Sequence, residues 1–308
     1  MLQNRRIKDI IAKQAMLGLA VLVGLLVFLI AFGLFTKSRP ILETKHLSEL
    51  LFSTRWRPSE GAFGFAPFIA GTVWVTVVAM VLAVPPSLFS AIYLAEYAPK
   101  KVQQGLKPLL DMLSGVSPVI FGVFGVLVVV PLIKEYALPW ANRAPAFIPF
   151  LHSENFTGFS ILAGGIVLAL MVFPIMTSVA EEVIASVPQE ARESSFALGA
   201  TKWETIKYVV LKKARAGIIA AIILGLSRAF GETIAVLMVI GNVAQMPKSV
   251  FDAAYPLPAL IANNYGEMMS IPLYDSALLL AAMILLAVTV FFNVIAWSIL
   301  LRIERQHA

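Results

Sequence analysis

The chain of 308 residues contains no cysteine, and its 3 histidines, His46, His152 and His307, lie far apart. Without thiols there is no disulfide and no thiolate metal site, and the histidines lack any metal-ligand spacing. Charge is scarce as well: 14% of residues are charged while 59% are hydrophobic. A soluble domain carries about 25% charged residues. No G-x-x-x-x-G-K-[ST] phosphate loop occurs, so ATP hydrolysis by that device is excluded. No H-E-x-x-H and no nucleophile-plus-base constellation occurs either, which leaves a membrane protease without support. The net charge of +6 would suit nucleic acid in a soluble protein. In a chain this apolar it reflects basic loops facing the cytoplasm.

What the chain does have is long apolar runs. Six segments qualify as membrane spans: Ala15–Phe35, Ala66–Leu94, Leu109–Ile133, Gly158–Ala180, Ala214–Ile240 and Ser276–Leu301. Each is roughly 20 residues or more, enough to cross ~30 Å of hydrocarbon. The first follows Arg5, Arg6, Lys8 and Lys13, as a signal peptide would. Its apolar stretch is long and no small-residue cleavage site follows, so it is read as a retained span. With the N-terminus inside, 15 of the 24 Lys and Arg fall on cytoplasmic pieces and 8 on outer ones. That bias puts both termini in the cytoplasm, although the outer loop 36–65 is itself basic. The expected fold is all-α, a polytopic bundle of six transmembrane helices. It divides into an N-terminal segment, first span and outer loop (1–65), a core (66–302) and a tail (303–308).

The cytoplasmic loop 181–213 carries helix signals of its own. Ser186 and Gln189, with Pro188 between them, fit a capping box, and Gly199 fits a left-handed stop. Thr201 and Glu204 fit a second capping box, and Trp203, Ile206, Val209 and Val210 follow at helical spacing. The pattern predicts a short helix, a glycine turn and another helix. It serves either as a connector or as a helix laid across the cytoplasmic mouth.

Arg228 and Glu232 stand inside the fifth apolar run, four residues apart, which would place them on one helix face. Charges at membrane depth cost at least ~2.5 kcal/mol each, so they must face a protein interior or a wet path. Gly217, Ala221 and Gly225 form a small-residue stripe for close helix packing, and Gly231 adds room beside the pair. Two readings follow: a self-neutralising ion pair, or an anion site in which the planar arginine fork meets an oxyanion that Glu232 orients.

Other features read more plainly. Thr72 and Thr76 are expected to bond their own helix backbone, and they stay outside the site with Trp74. Pro85-Pro86 and Ser117-Pro118 are expected to kink their helices. Asp111 is read near the start of the third span. The outer segment 241–275 holds Pro247, Pro256, Pro258 and Pro272. A short surface helix is expected near Ala259–Met269, either in an ordinary loop or in a docking face for a solute-binding protein.

Two stretches carry a family resemblance. ESSFALGATKWETIKYVVLK resembles the signature loop of ABC-transporter permeases, in which Glu-Ala-Ala, three residues, Gly and nine residues lead to Ile-x-Leu-Pro. Glu193, Ser194 and Ser195 occupy the triplet, Gly199 the glycine, and Val209 and Leu211 the aliphatic positions. Serines replace both alanines. Lys212 replaces the proline, so the second loop helix is expected to run straight into the fifth span. In the family this loop docks on the ATPase, which implies an ATPase-coupling role for Glu193, Ser194, Ser195, Gly199, Ala200 and Thr201. GLSRAFGETIAVLMVIGN resembles the fifth span of permeases of the phosphate (Pst) ABC importer, PstC-type more than PstA-type. So do the stretch Phe65–Pro99, LSGVSPVIFGVFG and PLPALIANNYGEM, and the likeness covers most of 60–302.

The resemblance implies an ABC importer type I permease fold in the bacterial cytoplasmic (inner) membrane, with Arg228 and Glu232 on the phosphate pathway. It implies no cofactor on this chain and ATP-Mg used by a partner. The implied partners are a second permease subunit (PstA-type), an ATP-binding subunit dimer (PstB-type) and a phosphate-binding protein outside the membrane (PstS-type), with lipid around the bundle. Arginine also suits sulfate, molybdate or phosphonate, and a stand-alone secondary transporter is the remaining alternative.

Overall fold

The computed structural model describes residues 2–141, 155–267 and 270–305. Helix α1 (Leu2–Thr44) is one continuous rod. Its apolar stretch is exposed, as a lipid-facing helix must be, and its C-terminal end packs on the rest through Ser38 and Ile41. A short α2 (Leu47–Phe52) leads to a two-stranded hairpin, β1 (Trp56–Arg57) and β2 (Ala62–Phe63), with Trp56 opposite Phe63. The Trp56 ring packs against Phe63, Phe65 and Phe68, with centroids 4.9–5.6 Å apart. This aromatic knot fixes the hairpin on the end of the bundle where α3 begins.

Next comes α3 (Ala66–Ile92), which ends in a π-turn, Tyr93–Tyr97. The helix runs on through Pro85 and Pro86. An amphipathic helix α4 (Lys100–Ser114) precedes α5 (Pro118–Ala141), which contains two π segments. Helix α6 (Ile161–Ala185) starts at Ser160, whose hydroxyl accepts from Ala163 N. It is the centre of the bundle, with 67% of its apolar window buried, and it packs on α3, α4 and the fifth span. Gly164 and Gly165 make the α3 contact possible: a Cβ on Gly165 would sit 2.4 Å from Val78 Cγ1.

The loop 181–213 forms α7 (Gln189–Ala197) and then α8 (202–231), an unbroken rod with a π segment at Ile206–Val210. The absent proline at Lys212 thus has the expected effect. Short helices α9 (Ile234–Val239) and α10 (Leu257–Asn264) precede the last span, α11 (Tyr274–Arg305).

Five helices among the described residues are long and apolar enough to cross a membrane: Ile10–Thr44, Ala66–Tyr97, Pro118–Ala141, Ile161–Ala185 and Tyr274–Ile295. Two expected spans need correction. The third begins at Pro118, not Leu109: the chain breaks at 115–117, Ser117 becomes the N-cap, and Pro118 takes the first helical position, where its missing N–H costs nothing. Ser117-Pro118 is therefore a helix start and not a kink, and Asp111 lies exposed in the last turn of α4. The fifth is not one helix from Ala214 to Ile240; it stops at Gly231 and resumes at Ile234.

The segment 241–275 also departs from expectation. The helix is Leu257–Asn264, and it is wedged into the bundle against α3 and α11 instead of lying on a surface. Leu257, Pro258, Ala259 and Leu260 are all buried. Thr72 anchors it: its hydroxyl donates to Phe68 O and accepts from Leu257 N at 2.9 Å. Thr76 bonds Thr72 O, as expected of a membrane-helix threonine. The far end of the expected helix, at Met269, and His152 and His307 lie outside the described residues.

Candidate functional site

Two regions carry the chemistry. The first is the turn between α7 and α8. Gly199 has φ +83° and follows the helix end at Leu198. Its N–H bonds Phe196 O, and the next N–H, of Ala200, bonds Ser195 O. These two bonds satisfy carbonyls that the end of a helix leaves without partners, the Schellman arrangement. Thr201 then caps α8 in a complete capping box: its hydroxyl accepts from Glu204 N, and Glu204 Oε2 accepts from Thr201 N at 2.8 Å. The bonds that Thr201 N, and then the Thr201 hydroxyl, donate to Glu204 Oε2 hold that carboxyl below its ordinary value of 4.5.

The other expected box does not form. Helix α6 runs on to Ala185, so Ser186 ends that helix and donates to Val183 O, while Pro188 precedes α7. Ser195, in the second alanine position of the signature, is buried, and its hydroxyl lies 2.9 Å from that of Thr205 on α8. A serine there joins the two arms of the turn, which alanine would not do. Glu193 and Ser194 face solvent, and Leu198 at the tip is 90% exposed, with Phe196 and Trp203 about half exposed. The turn thus presents exposed apolar side chains on a rigid, hydrogen-bonded frame.

The second region is the break in the fifth span. Arg228 sits in the last turn of α8, where its charge complements the helix dipole. Its Nε is buried without a hydrogen-bond partner. Glu232 is already outside the helix, with φ −74° and ψ 129°. The helical i, i+4 geometry expected for the two is therefore absent, and no ion pair joins them. The Glu232 carboxylate instead turns forward, accepting from Ala235 N at 3.2 Å and capping α9. The physical reason is local: the helix ends at Gly231, the Thr233 hydroxyl donates back to Gly231 O, and the Glu232 carboxylate serves an exposed N–H of the next helix.

Irregular backbone at membrane depth is tolerated only where protein or a water-filled cavity covers it. The small-residue stripe lies beneath: a Cβ on Gly217 would meet Val183 Cγ1 at 2.3 Å, and one on Gly225 would meet Met176 Sδ at 2.5 Å.

Sequence reasoning missed the polar ties at the other end of the bundle. Lys107 of α4 bonds Glu181 of α6 at 2.8 Å, and Arg192 of α7 bonds Glu96 at the end of α3, also at 2.8 Å. Nothing local marks either pair, since the partners are far apart in the chain. Ser227 and Asn293 form a further tie, between α8 and α11, at 2.6 Å.

Comparison with known proteins defines the class. Residues 87–304 match the family described as "Binding-protein-dependent transport system inner membrane component". A chain of the MetNI methionine ABC transporter, solved in inward-facing conformations, superposes with a TM-score of 0.54 at 16% identity, over 76% of this chain and 93% of that one. That likeness concerns the fold, a type I permease bundle. Among sequence relatives, the phosphate transport system permease protein PstC of Xylella fastidiosa (strain 9a5c) is 38% identical over 83% of this chain and 79% of its own length. The PstC of Pasteurella multocida (strain Pm70) is 32% identical over 98% of this chain and 95% of its own. The chain belongs to the binding-protein-dependent transport permeases, in their PstC-type group. It is a polytopic membrane permease, and its relatives are transport proteins and not enzymes.

Proposed function

We propose that this chain is the transmembrane permease subunit of an ATP-driven importer for inorganic phosphate in the bacterial inner membrane, with both termini in the cytoplasm. The observation that carries the reading is the buried Nε of the half-buried Arg228, without a hydrogen-bond partner beside a helix break, in a chain whose relatives are phosphate permeases. The planar fork of an arginine matches phosphate oxygens two at a time. Arg228 binds the anion transiently, and Glu232, held at the start of α9, shapes the opposite wall and accepts from a protonated oxyanion. A strong permanent site would trap phosphate, so the contact is weak or competed.

The chain works with a second permease (PstA-type), an ATP-binding dimer (PstB-type) that uses ATP-Mg, and an outer phosphate-binding protein (PstS-type). The ATPase docks on the turn formed by Glu193, Ser194, Ser195, Gly199, Ala200 and Thr201. Its exposed apolar tip, Phe196, Leu198 and Trp203, supports that placement.

The test is ATP-driven uptake in vesicles holding the whole complex, comparing phosphate with sulfate and molybdate for the wild type and Arg228→Gln. Phosphate-selective uptake that disappears in an assembled Arg228→Gln complex supports both parts. Preference for sulfate or molybdate would reassign the substrate. Uptake that needs no ATPase would return the chain to the stand-alone transporter class.

A further inference from the structure

A helix that docks on a motor is useful only if its movement reaches the spans. Helix α7 touches the bundle through few groups, and one of them is unusual. Arg192 immediately precedes Glu193, and its side chain is only 12% exposed. Its Nε and Nη2 both donate to Glu96 Oε1, at 3.2 and 2.8 Å. Nη2 also donates to Ile184 O at 3.0 Å, and Nη1 donates to Val187 O. One guanidinium thus ties α7 to the end of α3 and to the last turn of α6. Glu96, itself 8% exposed, pairs with no other cation among the described residues.

The corner that Glu96 belongs to is stiffened on its other side. Gln103 Nε2 donates to Leu94 O at 2.8 Å, closing the π-turn onto α4, and Lys107 of α4 reaches Glu181 of α6 at 2.8 Å. The four bonds leave from three nitrogens spread across the planar fork, a geometry that the single nitrogen of a lysine does not reproduce. Removing one partner of a pair this buried leaves a desolvated charge behind.

We propose that Arg192 is the positioning residue that transmits movement of the docked α7 helix to the α3–α4 corner and the cytoplasmic end of α6, so that the three move as one body during transport. The proposal rests on the reading of the chain as an ATP-driven permease. Rigid, hydrogen-bonded connections of this kind carry coupling free energy between sites, with typical effects of about 5–150-fold.

The experiment uses the reconstituted complex with its ATPase, second permease and binding protein, and reads phosphate uptake per ATP hydrolysed. Wild type comes first: if it shows no ATP-driven uptake, the functional reading fails and not the linkage. With wild type active, assembled Arg192→Lys and Glu96→Gln complexes are expected to keep hydrolysing ATP while uptake per ATP falls roughly tenfold. A packing role alone would lower the yield of complex and leave that ratio unchanged, and an unchanged ratio overturns the proposal. A second measurement does not depend on these variants. The chain has no native cysteine, so spin labels at Glu190→Cys on α7 and Lys101→Cys on α4, both exposed, report on these elements alone. Their distance is expected to be the same in nucleotide-free and ATP-trapped complexes. A distance that changes between the two states overturns the single-body linkage.

Discussion

Gly199 offers a perturbation whose size follows from two observations. Its φ is +83°, and a Cβ built on it would meet nothing within 4 Å. Bulk therefore costs nothing inside this chain, and the whole penalty is conformational. Placing an L-residue in the left-handed region costs ~1–2 kcal/mol, with asparagine penalised less. The two turn bonds, Gly199 N to Phe196 O and Ala200 N to Ser195 O, exist only in that backbone geometry. If the ATPase recognises the turn, its affinity falls by the population of the correct geometry, about tenfold for each 1.4 kcal/mol. The assay is ATPase binding to purified complexes carrying Gly199→Asn, Gly199→Ala or Gly199→Val, with hydrogen exchange at the Ala200 amide in parallel. Affinity should fall in the order glycine, asparagine, alanine, valine. The reasoning is refuted if the alanine variant binds as well as wild type, or if the asparagine variant is as damaged as the valine one, because size and not backbone would then be the cause.

Ser195→Ala and Thr205→Ala should each cost ~1 kcal/mol, and the double substitution less than their sum, because removing both hydroxyls strands neither; thermal unfolding of the four proteins decides, and strict additivity would deny the hydrogen bond at 2.9 Å. Glu204 has a depressed carboxyl, so its cap is fully present above the ordinary value of 4.5 and is lost as pH falls through the lower folded value. Fluorescence of the neighbouring Trp203 should show that acid transition in wild type and not in Glu204→Gln, whose amide still caps. For Glu232, Glu232→Gln keeps an acceptor for Ala235 N while Glu232→Ala loses it. If capping is its whole role, the glutamine variant transports like wild type and the alanine variant is destabilised by about 0.5–2 kcal/mol; loss of uptake in an intact Glu232→Gln complex shows that the charge itself is needed.

The features legible in the sequence are those fixed by neighbours in the chain. The Thr201–Glu204 box, the left-handed Gly199 and the continuous helix past Lys212 each depend on residues within one or two turns. The ion pair of Arg192 with Glu96 spans 96 positions, and no local pattern points to it. The break at 115–117 was hidden for a different reason. Leu106, Leu109, Leu110 and Leu113 give α4 an apolar face, and a window on hydropathy runs that face into the next span. Yet Gly115-Val116-Ser117-Pro118 carries a stop followed by a cap and a first-turn proline, so the boundary was written there.

The same conflict of scales governs the candidate pathway. Hydropathy reads 214–240 as one span, whereas Gly231-Glu232-Thr233 reads as an end and a restart. The local signal wins because backbone groups at the break find other partners: Glu232 N bonds Ala229 O, Thr233 O accepts from Leu237 N, and the Glu232 carboxylate takes Ala235 N. Glutamate is therefore spent on its own backbone, and Arg228 is left with a buried donor unused. A self-neutralising ion pair would satisfy both side chains and leave nothing for a ligand. Separating them across a break leaves a buried donor available to an acceptor, which is why the geometry favours the proposed transient anion site over the ion pair.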